Sequence, residues 1–287
     1  MRSMSRLDPR KQAHRRGAVS VVSAAAVAAV MIAVSAAGAT AQGRQGAAGP
    51  PPAPRAASPI DLTGYWVSVV TEDWRYRMVT PAKGDFQGFQ LTPEAIKIAD
   101  AWDPAKDEAA GEQCRSYGAP ALMSVPGRLH ITWQDDNTLK VDTDAGTQTR
   151  LLHFGDYKAP ANTPRSWQGV SVAQWLLPRG NVPLIFRPAD RTAGDAPPVR
   201  PGGGSLRVVT TELRPGYLRK NGIPYGQNVV LTEHWDHYKR PNGEEWLTIT
   251  QQIEDPQNLR NVKLIAPVFK KEADGAKWDP TPCSSRW

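Results

Sequence analysis

The sequence predicts an all-β protein: an antiparallel lipocalin-like barrel of about nine or ten strands with one N-terminal helix. Three observations carry this. Most of the chain after residue 60 consists of short runs rich in Val, Leu, Thr and Trp, each ended by turn-forming residues. Hairpin signals recur at Asp136-Asn137, Asp144-Ala145-Gly146 and Pro241-Asn242-Gly243. The span from residue 60 to Cys283, roughly 225 residues, suits one closed sheet. A two-sheet β-sandwich is the alternative that the same pattern allows.

Taken from the N-terminus, residues 1–41 have the three parts of a secretory signal peptide. A basic stretch ends at Arg15-Arg16, a run of small apolar residues extends from Ala18 to Gly38, and Ala39-Thr40-Ala41 supplies a cleavage site after Ala41. The apolar run is ~20 residues, enough to span a bilayer if retained. Its Ala/Val composition and the site that ends it favour removal, leaving no stable membrane span. The mature chain is therefore expected to be periplasmic or secreted. Residues 42–59 are mainly Gly, Ala, Pro and Arg, with Pro50-Pro51-Pro52 among them. They read as a disordered tether with nothing to pack. Residues 60–287 then form a single barrel domain.

The helix is predicted over 91–102. Thr92 is a good N-cap, Pro93 suits the first helical position, and Asp103-Pro104 ends the run. Ile98, Ala101 and Trp102 share a face at helical spacing. Strands are predicted over 64–70, 75–80, 128–134, 139–143, 147–154, 169–176, 206–213, 229–238, 246–254 and 263–270. Residues 187–204, with Pro197-Pro198 and Gly202-Gly203-Gly204, form a long irregular connection. Such a segment is either a lid over a site or a disordered insertion.

The formal net charge of +7 suggests an anionic partner at first sight. However, residues 1–41 hold six basic side chains and one acid, so the remainder carries 29 basic and 27 acidic residues, a net of +2. Nor do its basic residues interleave with aromatics as a nucleic-acid surface would. Nucleic acid is not an expected partner. The two cysteines, Cys114 and Cys283, fit an oxidising compartment and a disulfide across roughly 170 residues. Free buried thiols are the alternative. Two Cys without a third sulfur ligand do not make a structural zinc site.

The segments Trp167-Gln168-Gly169-Val170-Ser171, Val230-Leu231-Thr232-Glu233-His234-Trp235 and Ile253-Glu254-Asp255-Pro256 resemble those of a family of secreted bacterial proteins. The helix-then-Cys arrangement around Asp103-Pro104 and Cys114 is similar too. The resemblance covers most of residues 60–283 and implies a lipocalin-like β-barrel in the periplasm. It carries no reaction, ligand or catalytic residue onto this chain.

Candidate chemistry gathers on the strand at 229–238, where alternation puts Leu231, Glu233, Trp235 and His237 on one face. Turned into a barrel, that face places a carboxylate and an imidazole beside an aromatic. Glu212, Arg150, Trp133, Trp246 and His153 are candidates from neighbouring strands. Aromatic walls with a few convergent polar groups are the usual composition of a small-ligand site. Glu233 with His237 could also work as a general acid/base pair. The plainer alternative is a Glu233–Arg150 ion pair across a filled barrel. His234 and His237 are three residues apart, which on a strand places them on opposite faces, so no metal site is expected from them. Gly202-Gly203-Gly204 lacks the residues of a phosphate loop and no G-x-S-x-G elbow is present. No cofactor is implied. Three functions follow: a periplasmic or secreted protein binding a small apolar or aromatic ligand, an enzyme acting on such a molecule in the barrel, or an envelope accessory protein with a filled core.

Overall fold

The structure is a computed structural model and describes residues 51–177 and 203–286. The predicted signal peptide and nearly all of the 187–204 connection lie outside the described residues.

Twelve strands are present among those residues. They are β1 (Gly64–Val69), β2 (Arg128–Asp135), β3 (Thr138–Thr143), β4 (Thr149–Phe154), β5 (Val170–Leu176) and β6 (Ser205–Thr211), then β7 (Gly216–Arg219), β8 (Ile223–Tyr225), β9 (Val230–Lys239), β10 (Glu245–Glu254), β11 (Lys263–Ile265) and β12 (Val268–Glu272). Nine of them close a barrel in the order β10-β12-β1-β2-β3-β4-β5-β6-β9, with β9 returning to β10. The expected barrel is therefore present. It is mixed, not purely antiparallel. Strand directions cannot alternate all the way around a closed ring of nine, so at least one adjacent pair must be parallel. That pair is β4–β5, where Leu152, His153 and Phe154 lie beside Ser171, Val172 and Ala173. A parallel neighbour needs a crossover, and residues 155–169 supply it. Gly169 ends that crossover at φ 60, where an added Cβ would lie 2.3 Å from the Thr211 carbonyl oxygen, so a larger residue has no room there.

Strand β10 is longer than either of its partners on one side. Trp246–Thr248 pairs with β12 and Gln251–Ile253 with β11. The strand predicted over 263–270 is thus two pieces broken at Pro267, which has no N–H to continue a ladder. The Pro267 carbonyl still accepts from the Ile249 amide at 2.9 Å.

One end of the barrel is capped by residues 70–127, the β7–β8 hairpin and the C-terminal tail. The cap holds four short helices, α1 (Trp74–Met78), α2 (Pro93–Asp100), α3 (Pro104–Ala109) and α4 (Ala119–Leu122), and a 3-10 turn at Gln113–Tyr117. Only α2 was expected. Its Thr92 hydroxyl accepts from the Ala95 amide at 3.2 Å, as an N-cap should. The buried face differs from the expected one. Ala95 and Ala99 are fully buried while Ile98 is 47% exposed, because the small alanines let α2 sit close against β8. Asp103-Pro104 does end α2, and it also starts α3, with the Asp103 carboxylate accepting from the Ala105 amide. Residues 75–80 were expected as a strand and form α1 instead. That winding turns Arg77 inward, where it donates to the Ser124 carbonyl at 2.8 Å and to the Ser68 hydroxyl at 3.1 Å. A tertiary contact overrides an alternating local pattern.

At the opposite mouth, residues 51–62 lie over the barrel. The Arg55 amide donates to the Asp136 carbonyl, Trp175 Nε1 to the Pro54 carbonyl at 2.8 Å, and Trp66 Nε1 to the Leu62 carbonyl at 2.9 Å. The part of the expected tether after residue 50 is therefore packed, because the indoles at this mouth need acceptors that the strands have already used.

Cys114 and Cys283 form a disulfide, 169 residues apart, tying the C-terminal tail to the 3-10 turn of the cap. Closing so long a loop in the unfolded chain is worth about 5 kcal/mol on the chain-entropy model. Replacing both cysteines by Ala is expected to lower stability by about 3–5 kcal/mol, read as a lower urea midpoint in oxidised samples.

Candidate functional site

Strand β9 directs Leu231, Glu233 and Trp235 into the lumen, and all three are fully buried. In register, Glu233 lies between Val208 of β6 and Gln251 of β10. Arg150 reaches it from β4, past the two intervening strands β5 and β6. The guanidinium grips the carboxylate with both Nη atoms, Nη2 to Oε2 at 2.6 Å and Nη1 to Oε1 at 3.2 Å. Both side chains are 0% exposed. The intervening strands supply the remaining partners. Arg150 Nη2 also donates to Thr210 at 3.2 Å and to Ser171 at 3.5 Å, and those two hydroxyls are 2.8 Å apart. Gln251 Nε2 donates to Glu233 at 2.9 Å. Arg150 Nε, Gln251 Oε1 and Trp235 Nε1 are buried without a hydrogen-bond partner.

This polar layer separates two apolar groups. Trp235 and Ile249, one pleat towards the mouth that residues 51–62 cover, belong to the cluster that fills the lumen with Trp66, Leu206, Leu247 and Phe269. Leu231 and Ile253, one pleat towards the cap, belong to the cluster beneath the hairpin with Leu213, Leu218 and Ile223. Nearer the mouth, Trp133, Phe154 and Trp175 pack with ring centroids 5.2–6.4 Å apart. Side chains therefore occupy the volume in which a lumen ligand was expected.

Of the residues singled out in the sequence, Glu233, Arg150, Trp235 and Trp133 do face the lumen, and Glu233 and Arg150 meet there. His237 does not join Glu233. It sits at the rim with Nε2 3.1 Å from Glu245 Oε2, and Lys271 Nζ donates to that same oxygen at 3.1 Å. The acid/base pair is thus not assembled, since Glu233 is spent on Arg150. His153 points outward and stacks on Tyr157 at 3.7 Å, and burial there holds its imidazole below the usual pKa. Trp246 is also outside, with the Arg240 guanidinium 4.4 Å from its ring. Glu212 misses the lumen because β6 ends at Thr211. It adopts a left-handed φ of 54 and pairs with Arg165 at 3.1 Å, 57% exposed.

A different site emerges at the capped end, in a cleft between α1, α4, the end of β7 and the lower parts of β10 and β11. Tyr76 and Phe89 wall it, with Ala121, Leu218, Ile253 and Ile265. Its cavity volume is about 50 Å3. Three cationic side chains line it, and Arg77, Arg219 and Lys220 are all buried. The Arg219 guanidinium lies 4.1 Å from the Tyr76 ring and 4.8 Å from the Phe89 ring, and Nη1 donates to the Gln87 carbonyl at 3.0 Å. Lys220 Nζ donates to the Tyr117 hydroxyl at 2.7 Å. Burial lowers the pKa of all three cations, that of Lys220 to about 8.

The sequence reading missed this cleft, although one signal was legible. Asn221-Gly222 between the runs Gly216–Arg219 and Ile223–Tyr225 is a strong hairpin cue. That hairpin delivers Arg219 and Lys220 to the cap. The meeting of Arg219 with Arg77, Tyr76 and Phe89 has no local signature, because the residues lie more than a hundred positions apart.

No protein-family model matches the chain, and no curated protein or solved structure matches it.

Two outcomes follow from the buried charges. Glu233→Gln leaves Arg150 buried without its counter-charge and is expected to cost about 3 kcal/mol in urea unfolding. The double variant Arg150→Met/Glu233→Leu should recover most of that loss. For Lys220, the folded pKa of about 8 lies below the unfolded value of 10.5. Between those values the unfolded chain holds a proton that the folded chain has shed, so raising the pH stabilises the fold. Relative to Lys220→Met, the wild type should gain about 2 kcal/mol between pH 7 and pH 9.5, measured by urea midpoints at each pH.

Proposed function

We propose that this is a periplasmic or secreted binding protein whose small, partly apolar or aromatic ligand sits in the cleft beneath the cap and not in the barrel lumen. The observation that carries the reading is the filled lumen, which makes the barrel a scaffold, together with a concave, aromatic-walled and partly apolar cleft beside it that buries three cations. The disulfide supports an oxidising compartment. Among the described residues no helix is long and apolar enough to cross a membrane. The resemblance to secreted bacterial proteins supports the same location.

The cleft suits binding. Its Arg219 and Lys220 side chains are held by neighbours, its walls come from five separate elements, and Gln251 of the Arg150–Glu233 layer lies one pleat from Ile253 on the same strand. Binding of 4-fluorophenol, a small neutral aromatic, followed by 19F line broadening, tests the location. Broadening is expected with the wild type and with the lumen variant Gln251→Leu. It should disappear in Ser124→Phe, which places a ring in the cleft while sparing the Ser124 carbonyl that holds Arg77. Broadening that survives in Ser124→Phe would place the ligand elsewhere.

A further inference from the structure

We infer that the cleft is built for an organic carboxylate, an aromatic or apolar acid whose charged end enters between Arg77 and Arg219. The inference rests on the proposed ligand site and names the chemistry of its ligand.

Buried cations are costly unless an opposite charge meets them. The barrel shows the usual solution, since Arg150 lies against Glu233 at 2.6 Å. At the cleft that solution is missing. Neither Arg77 nor Arg219 has a carboxylate within 4.0 Å among the described residues. Each is held by neutral acceptors, the Ser124 carbonyl and Ser68 hydroxyl for Arg77 and the Gln87 carbonyl for Arg219. The Nη1 nitrogen of Arg77, itself 5% exposed, is buried with no partner at all. Such a donor is uncommon in a folded protein, and it belongs to one of the side chains that line the cleft.

Acidic groups do face the cleft, and they do not fill this role. Glu72 accepts from the Ala266 amide at 2.7 Å, and Asp73 is exposed at the start of α1. Their fields favour the charged form of Arg77, yet burial still holds its pKa down. Asp73, and Asp85 from beside the cleft, act on Arg219 in the same way, yet burial holds its pKa down too, and neither carboxylate lies within ion-pair distance of either guanidinium. The cavity volume of about 50 Å3 is room for a few waters or for one carboxylate group. A guanidinium fork matches a planar carboxylate in two parallel hydrogen bonds. Tyr76, Phe89 and Ile265 offer the rest of the ligand apolar and aromatic surface. The packing of Arg219 between two rings keeps its guanidinium plane oriented before anything binds.

The test titrates the disulfide-intact mature protein with 4-fluorobenzoate, 4-fluorobenzamide and inorganic phosphate, by 19F line broadening for the first two and calorimetry for the third. 4-Fluorobenzoate is expected to bind at least tenfold tighter than the neutral amide of the same shape, and to weaken as salt is raised. Arg219→Gln and Arg77→Gln should each remove that preference, and Arg219→Lys should keep part of it. Far-UV circular dichroism identifies any variant that fails to fold, in which case the salt dependence and the benzoate/benzamide ratio of the wild type decide. Equal binding of benzoate and benzamide overturns the carboxylate assignment and leaves the cleft as a neutral aromatic site. Binding of phosphate without benzoate overturns it in favour of an inorganic anion. No binding of any of the three, together with no broadening of 4-fluorophenol, overturns both the assignment and the proposed site.

Discussion

The buried pair of Arg150 and Glu233 is the constraint around which this barrel is arranged. A charge taken out of water needs a close counter-charge and partners for its remaining polar atoms. Here the counter-charge comes from β4 and β9, and the remaining partners from β5, β6 and β10. Five of the nine barrel strands therefore contribute to one polar layer. A slip of any of them by one residue would turn its contributing side chain outward and strand the others. The pair gives register to a sheet whose other lumen residues are mostly interchangeable hydrophobics.

That layer also shapes the interior of the barrel. It partitions the interior into a lumen cluster and a cluster beneath the hairpin, and it occupies the depth at which a lumen ligand would lie. The barrel becomes a solid support. Concavity is displaced to the capped end, where the α1 and α4 turns, the β7–β8 hairpin and the lower ends of β10 and β11 meet. The cap is itself pinned by the Cys114–Cys283 disulfide, which ties the C-terminal tail to the turn that leads into α4.

Legibility in the sequence followed the range of the interactions involved. Alternation along residues 229–238 correctly put Leu231, Glu233 and Trp235 on one face, because the period of a strand is a local property. The N-cap Thr92 and the hairpin turns were legible for the same reason. The parallel β4–β5 pair was not, since it follows from closing a ring with an odd number of strands. Nor was the fate of His237, which depends on Glu245 and Lys271 across two neighbouring strands. Glu212 was misplaced because the strand ends two residues earlier than its pattern suggested.

By itself the sequence determined the all-β class, most strand positions, the pairing of the two cysteines and the residues that could meet inside a barrel. Those are properties of residue type and short spacing. Tertiary structure decided which carboxylate would be consumed by which cation, and which cations would be left without one. Arg150 and Arg77 are the same side chain with the same propensities. One lies against Glu233 and the other against the neutral oxygens of Ser124 and Ser68. Only the closing of the barrel and the docking of the cap, which bring together residues far apart in the chain, could set that difference.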